Sequence, residues 1–311
     1  MLLAAQVLLA CAFVPGAQPR LAHAASRPPA PSALATRARG GACSASTVRA
    51  SDAPPPALKP PAAIFDGAIA AGAAKASMPA SKIFVLAVIS GCHIAFGSCL
   101  SMMVGGAVPG IKEANPGLQR IILGAFGLPF GLLMTLISGA ELFTGNTALV
   151  TTSVLNGKAS VRGLAKSWFY SYAGNLVGSL LIASLFAASG VMHTGVVAVA
   201  TAKVAMPWAQ AFVRGVLANW LVCMAVWMAS GCSDLAGKAV AVWFPISAFV
   251  AMGLEHSVAN MAIVPLGMML GAPVTVREFV LANLLPVTLG NAFAGVVAIA
   301  VAFTLAYGKG K

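Results

Sequence analysis

From Ile83 to Tyr307 the chain is a succession of six apolar segments, approximately residues 83–108, 118–152, 164–189, 209–229, 239–271 and 279–307. Each meets the roughly 20 residues that a helix needs to cross a bilayer. Composition agrees with this reading. Apolar residues make up 59% of the 311 and charged residues 8%, whereas soluble domains run about 45–50% and 25%. So few ionisable groups cannot cover a water-facing surface of this size, so most of the outside must meet lipid. The fold class expected is an all-α membrane protein of six transmembrane helices.

The second and fifth segments are too long for one straight span, and each carries a Gly-bearing polar interruption near its middle. Such an interruption reads as a broken helix whose irregular backbone is sheltered inside the protein. The two interruptions match. Gly139-Ala-Glu141-Leu-Phe-Thr-Gly-Asn146 and Gly253-Leu-Glu255-His-Ser-Val-Ala-Asn260 share G-x-E-x-x-x-x-N at an offset of 114. In the spans that follow, Gly174-Asn175 corresponds to Gly290-Asn291 at an offset of 116. Two halves of three spans, about residues 83–190 and 205–307, are therefore expected. An odd number of spans per half makes the repeat an inverted one.

The net charge of +12 divides along the chain. Up to residue 60, Arg20, Arg27, Arg37, Arg39, Arg49 and Lys59 stand against the single acid Asp52, a net of +5. The remaining charges lie thinly between apolar runs with no basic stripe, which excludes nucleic acid as a partner. Residues 1–60 combine an apolar stretch ending at Ala10-Cys11-Ala12-Phe13-Val14-Pro15 with a Pro-, Ala- and Ser-rich, acid-poor stretch. That order reads as a bipartite plastid-targeting presequence without a core of its own, preceding a membrane domain over 61–311. Six spans place both termini on one face. That face carries Lys75, Lys82, Lys158, Arg162, Lys166, Lys238, Lys309 and Lys311; the other carries Lys112, Arg120, Lys203, Arg214 and Arg277. The excess of basic residues assigns the termini to the cytosol-equivalent side, the stroma for a plastid envelope. The six cysteines form no CxxC pair, and neither a metal site nor a disulfide framework is expected.

Ionisable groups inside spans are costly and mark function by default. Glu141 and Glu255 sit at the breaks, where they are expected to tie down loose backbone N–H groups; a proton-relay role is the alternative. His256 also lies at a break. Two half-helix N-termini pointing inward, with an imidazole beside them, offset the desolvation cost of a small anion. Thr144 is placed to hydrogen-bond His256. Leu142, Phe143 and Leu254 are candidate apolar gates, and Phe96 joins them by position alone. His93 lacks such a context and reads as a packing residue.

These stretches resemble the formate/nitrite transporter family. Leu136-Ile-Ser-Gly-Ala-Glu-Leu-Phe-Thr-Gly-Asn146 is similar to one signature, and Arg214-Gly-Val-Leu-Ala-Asn219-Trp-Leu-Val-Cys-Met-Ala-Val-Trp227 to a second. Gly253-Leu-Glu-His256-Ser-Val-Ala-Asn260-Met-Ala-Ile-Val-Pro-Leu-Gly267 resembles the central-histidine segment. The resemblance covers about residues 61–307 and implies an aquaporin-like protomer with its own pore, in a homopentamer. It implies His256 as the pore histidine, Thr144 as its partner, and Leu142, Phe143 and Leu254 near the constrictions. Glu255 and Asn260 would support the second break, as Glu141 and Asn146 are expected to support the first, and Asn219 would support the site from the fourth span. Lys203, otherwise a loop charge, would attract anions at the vestibule, although it and His193 lie in a short, apolar loop that departs from the family pattern.

The function expected is transport of small monovalent anions across a plastid membrane without a cofactor. Nitrite is favoured because such plastids reduce it, and bicarbonate and formate are the alternatives. The mechanism expected is attraction by Lys203, passage through an apolar gate, and proton sharing with His256, so that the cargo crosses the second gate as a neutral acid. An intramembrane enzyme is disfavoured. Haem ligation needs paired histidines on facing helices, and no nucleophile-elbow motif accompanies Ser98, Ser138 or Ser257.

Overall fold

The computed structural model describes residues 58–192 and 195–308. The chain divides into residues 1–53 and 54–311, and the described part belongs to the second unit. The presequence expected over 1–60 lies outside the described residues but for its last three.

The described chain is helical. In order it forms α1 (Pro61–Ser77), α2 (Ala80–Gly105), α3 (Pro109–Ala114), α4 (Pro116–Ala125), α5 (Leu128–Ser138), α6 (Phe143–Leu155) and α7 (Val161–Ser189). The second half follows with α8 (Gly195–Val204), α9 (Trp208–Gly231), α10 (Leu235–Ala251), α11 (Ser257–Met269) and α12 (Val276–Tyr307). Five stretches are long and apolar enough to cross a membrane: α2, α4 with α5, α7, α9 and α12. Large apolar side chains, among them Phe126, Phe169, Phe244 and Leu305, are exposed, as a lipid-facing surface requires.

Helix boundaries follow local chemistry. Side-chain oxygens of Asn115, Ser160, Asp234 and Thr275 accept a backbone N–H in the first turns of α4, α7, α10 and α12, satisfying donors the helix leaves open. Gly139 and Gly253 take left-handed φ values of 68° and 70°, which L side chains resist, and each closes the half-helix before a break. The long second segment breaks where expected, between α5 and α6, and is divided again at Phe126-Gly127. The fifth resolves into α10 and α11, of 17 and 13 residues.

Three features differ from the sequence expectation. The short apolar loop assigned to Lys203 is helix α8. Residues 61–77 form a further helix, α1, packed on α6. Finally, α12 is π-helical over Phe279–Leu284 and Ala294–Val301. The first π segment stops just ahead of Pro286, which has no N–H to donate to residue 282.

The two halves correspond, α1 with α8, α2 with α9, α4 and α5 together with α10, α6 with α11, and α7 with α12. Gly174 of α7 packs so closely on α2 that a Cβ would strike Ala87 and the carbonyl of Phe84. Its counterpart Gly290 of α12 lies as close to the Phe212 carbonyl of α9, the residue 128 positions after Phe84.

Candidate functional site

The same hydrogen-bonding frame is built at both breaks. In the first, Asn175 of α7 accepts from Phe143 N at 2.9 Å and donates to the carbonyls of Ala87 and Glu141 at 2.8 and 2.9 Å. In the second, Asn291 of α12 accepts from Ser257 N at 2.8 Å and donates to the carbonyls of Gly215 and Glu255 at 2.8 and 3.1 Å. The two asparagines therefore fix the interrupted backbone. In the sequence these asparagines stand out only as repeat markers, and the expected holders of the backbone are the glutamates.

The glutamates instead anchor side chains. Glu141 takes Lys75 Nζ on Oε1 at 2.6 Å and Asn146 Nδ2 on Oε2 at 2.8 Å. Glu255 takes Lys203 Nζ on Oε1 at 2.8 Å and Asn260 Nδ2 on Oε2 at 2.7 Å. The carboxylates are 2% and 3% exposed and the lysines 20% and 15%. A buried charge persists only when paired and hydrogen-bonded, and each carboxylate has both. Lys75, 128 residues before Lys203, is in the sequence only an orientation marker. Its role depends on a partner 66 residues away, and no local pattern signals that.

His256 is the N-cap of α11: its Nδ1 accepts from Ala259 N at 3.1 Å. With that lone pair engaged, the neutral ring carries its proton on Nε2. Nε2 lies 3.0 Å from Thr144 Oγ1, a pair bridging the two halves at buried positions. Asn219 of α9 points its amide nitrogen at Asn291 O, Thr147 Oγ1 and Thr144 O, at 2.6, 3.2 and 3.3 Å. It thus ties α9 to both α6 and α12.

A cavity of about 530 Å³ reaches His256 from the face opposite the termini. Lys203, Glu255, Asn260 and Leu254 line it, and so do Lys112, Arg120 and Arg214. Four of the five basic residues counted for that face thus gather around one funnel rather than spreading along a membrane surface. Beyond His256 lies a void of only about 10 Å³, walled by Leu142 with Ile94, Leu132, Val222 and Ile246. Leu128, Phe249 and His256 border both spaces, and the Phe249 ring centroid is 6.0 Å from that of His256.

Leu142 and Leu254 thus lie on either side of His256. Phe143 borders neither space; it packs edge-on against Trp168 and Tyr172. Phe96 is corrected outright: it is 43% exposed and meets Phe186 on the outside of α2 and α7, away from both spaces. Phe249 and Leu128 escaped sequence reading because each is one apolar residue among many in an apolar segment. His193 lies outside the described residues.

Comparison with known proteins agrees with this geometry. A family model described as formate/nitrite transporter matches residues 62–305. A probable formate transporter of Methanothermobacter thermautotrophicus is 39% identical over 273 residues, covering 81% of this chain and 98% of that protein. The formate channel FocA of Escherichia coli (strain K12) is 33% identical over 272 residues, covering 79% and 94%. Among solved structures, an FNT family ion channel matches with a TM-score of 0.72 at 32% identity, over 78% of this chain and 98% of that one. A pentameric formate channel with formate bound matches at 0.64 and 30%, over 74% and 98%. With the repeated breaks, the cross-repeat histidine and a sequence match over most of its length, the chain belongs to the formate/nitrite transporter family.

Proposed function

We propose that this protein carries small monovalent anions through a pore in each protomer of a homopentamer, with nitrite the favoured cargo and formate or bicarbonate the alternatives. The observation that carries the reading is the His256–Thr144 pair at the base of a cationic funnel. The funnel concentrates anions by its field. The small apolar void beyond it excludes hydrated ions, so an anion that passes loses its water and needs a compensating donor.

His256 supplies that donor. Because Nδ1 caps α11, a second ring proton would set an N–H against Ala259 N. The imidazole therefore acts as a neutral donor through Nε2, exchanging Thr144 for the cargo oxygen. It shares its proton in a hydrogen bond without surrendering it, since full transfer would leave an imidazolate. The proton that neutralises the cargo arrives with it from the funnel water.

The termini are placed in the stroma of a plastid envelope, a compartment that favours nitrite. The orientation gains support from the funnel. Once Lys112, Arg120, Lys203 and Arg214 are assigned to it, only Arg277 remains as a surface marker on that face, against seven on the other, where Lys75 is held by Glu141.

The test is uptake of nitrite, formate and bicarbonate into proteoliposomes under an inward proton gradient. Uptake above empty vesicles, rising with external acidity, is expected; none with any of the three refutes the reading. A fluorescent fusion of residues 1–60 should enter plastids, and cytosolic retention would refute the targeting.

A further inference from the structure

We propose that the funnel above His256 is also a binding site for a multivalent oxyanion of the phosphate class, which enters from the face opposite the termini, cannot pass, and inhibits transport from that face alone. This rests on reading the funnel as the mouth of the pore. Its volume of about 530 Å³ is that of a site for an organic ligand, far larger than a three-atom anion requires. Of its four cations only Lys203 has a carboxylate partner. Among the described residues no salt bridge joins Lys112, Arg120 or Arg214 to an acid.

Both arginines hold the chain at the end of α10. Arg120 of α4 donates through Nη1 to Ala251 O, and Arg214 of α9 through Nη1 to Gly253 O, both at 3.3 Å. Each spends one nitrogen on the end of α10, and a guanidinium has five N–H donors in a rigid fork suited to oxyanions. Gly253 leaves room for Arg120: a Cβ there would stand 3.0 Å from its Nη1.

The backbone contact made at position 214 does not itself demand a charge. The Arg214 carbonyl accepts from Glu255 N as the Leu86 carbonyl accepts from Glu141 N, so the equivalent backbone position in the first half holds a leucine. A monovalent cargo engages one fork weakly and moves on. A divalent oxyanion engages both and is held, because the apolar void of about 10 Å³ below offers it neither space nor donors beyond His256.

The experiment uses the full-length protein, randomly oriented in phosphatidylcholine vesicles that supply no anionic headgroup. Formate uptake is measured against inorganic phosphate at an ionic strength held constant with chloride. External phosphate alone should inhibit to a plateau near half, since about half the molecules present the funnel outward, and phosphate on both sides should inhibit fully. Arg120→Gln should raise the half-inhibitory concentration about tenfold relative to its own phosphate-free rate, with Arg120→Lys, which keeps charge but loses the fork, in between. Phosphate-insensitive uptake, full inhibition by external phosphate alone, or equal sensitivity of Arg120→Gln would overturn the proposal. Binding of radiolabelled phosphate to the purified protein, wild type against Arg120→Gln, reads the site without transport. Absent formate uptake in phosphate-free vesicles therefore counts against the functional reading, and absent phosphate binding against this site.

Discussion

Glu141 and Glu255 are the most deeply placed charges of the described molecule, and each is held by one lysine and one asparagine. Removing one partner of a buried ion pair costs about 3–5 kcal/mol, and the partial exposure of Lys75 and Lys203 puts them at or below that range. Lys75→Met and Lys203→Met should thus lower thermal stability to a similar extent. Their effects on transport should differ, because only Lys203 lines the funnel. Thermal melting beside anion uptake checks both; equal transport losses would contradict the asymmetry. Thr144→Val, which strands the His256 Nε2 proton, should cost about 1–3 kcal/mol and reduce uptake. The G-x-E-x-x-x-x-N pattern brought the glutamates and asparagines forward as repeated positions five residues apart, but not the contacts between them. The lysine–glutamate pairings stayed hidden because the partners are 66 and 52 residues apart and chain folding alone brings them together.

At the scale of the element, the breaks are the working parts, and the helices beside them are splints. Asn291→Ala would orphan Ser257 N and the carbonyls of Gly215 and Glu255, a cost of at least about 2 kcal/mol at the usual price of buried unpaired groups. Asn175→Ala should behave alike in the other half, measurable as a lower melting temperature of the purified protein. Gly67 of α1 is the opposite case. A Cβ there meets nothing within 4 Å, so Gly67→Ala should stabilise by about 0.5–1 kcal/mol through helix propensity. The broken spans were legible because their length exceeded a bilayer and a polar Gly-bearing stretch cut them. Helices α1 and α8 were not, since 17 and 10 largely apolar residues without polar periodicity give no amphipathic signal. Nor were the π segments of α12, because an extra residue per turn leaves no trace in composition.

Across the whole molecule, symmetry of frame serves asymmetry of surface. Both halves use the same asparagine, glutamate and lysine scaffold, yet Leu142 in the first occupies the place that His256 takes in the second, 114 residues on. The funnel reaches His256 without extending to Lys75 or Glu141. One face is thereby a cationic entrance, and the imidazole lies between it and an apolar constriction. Light scattering on the detergent-solubilised protein should give five copies, and a monomer would contradict the assembly proposed. The most direct test of the anion path is formate and nitrite uptake by wild type and His256→Asn proteoliposomes across a series of external pH values. A slower rate at every pH is expected in the variant, which lacks the Nε2 donor, whereas an unchanged rate across the series would contradict a pathway through His256.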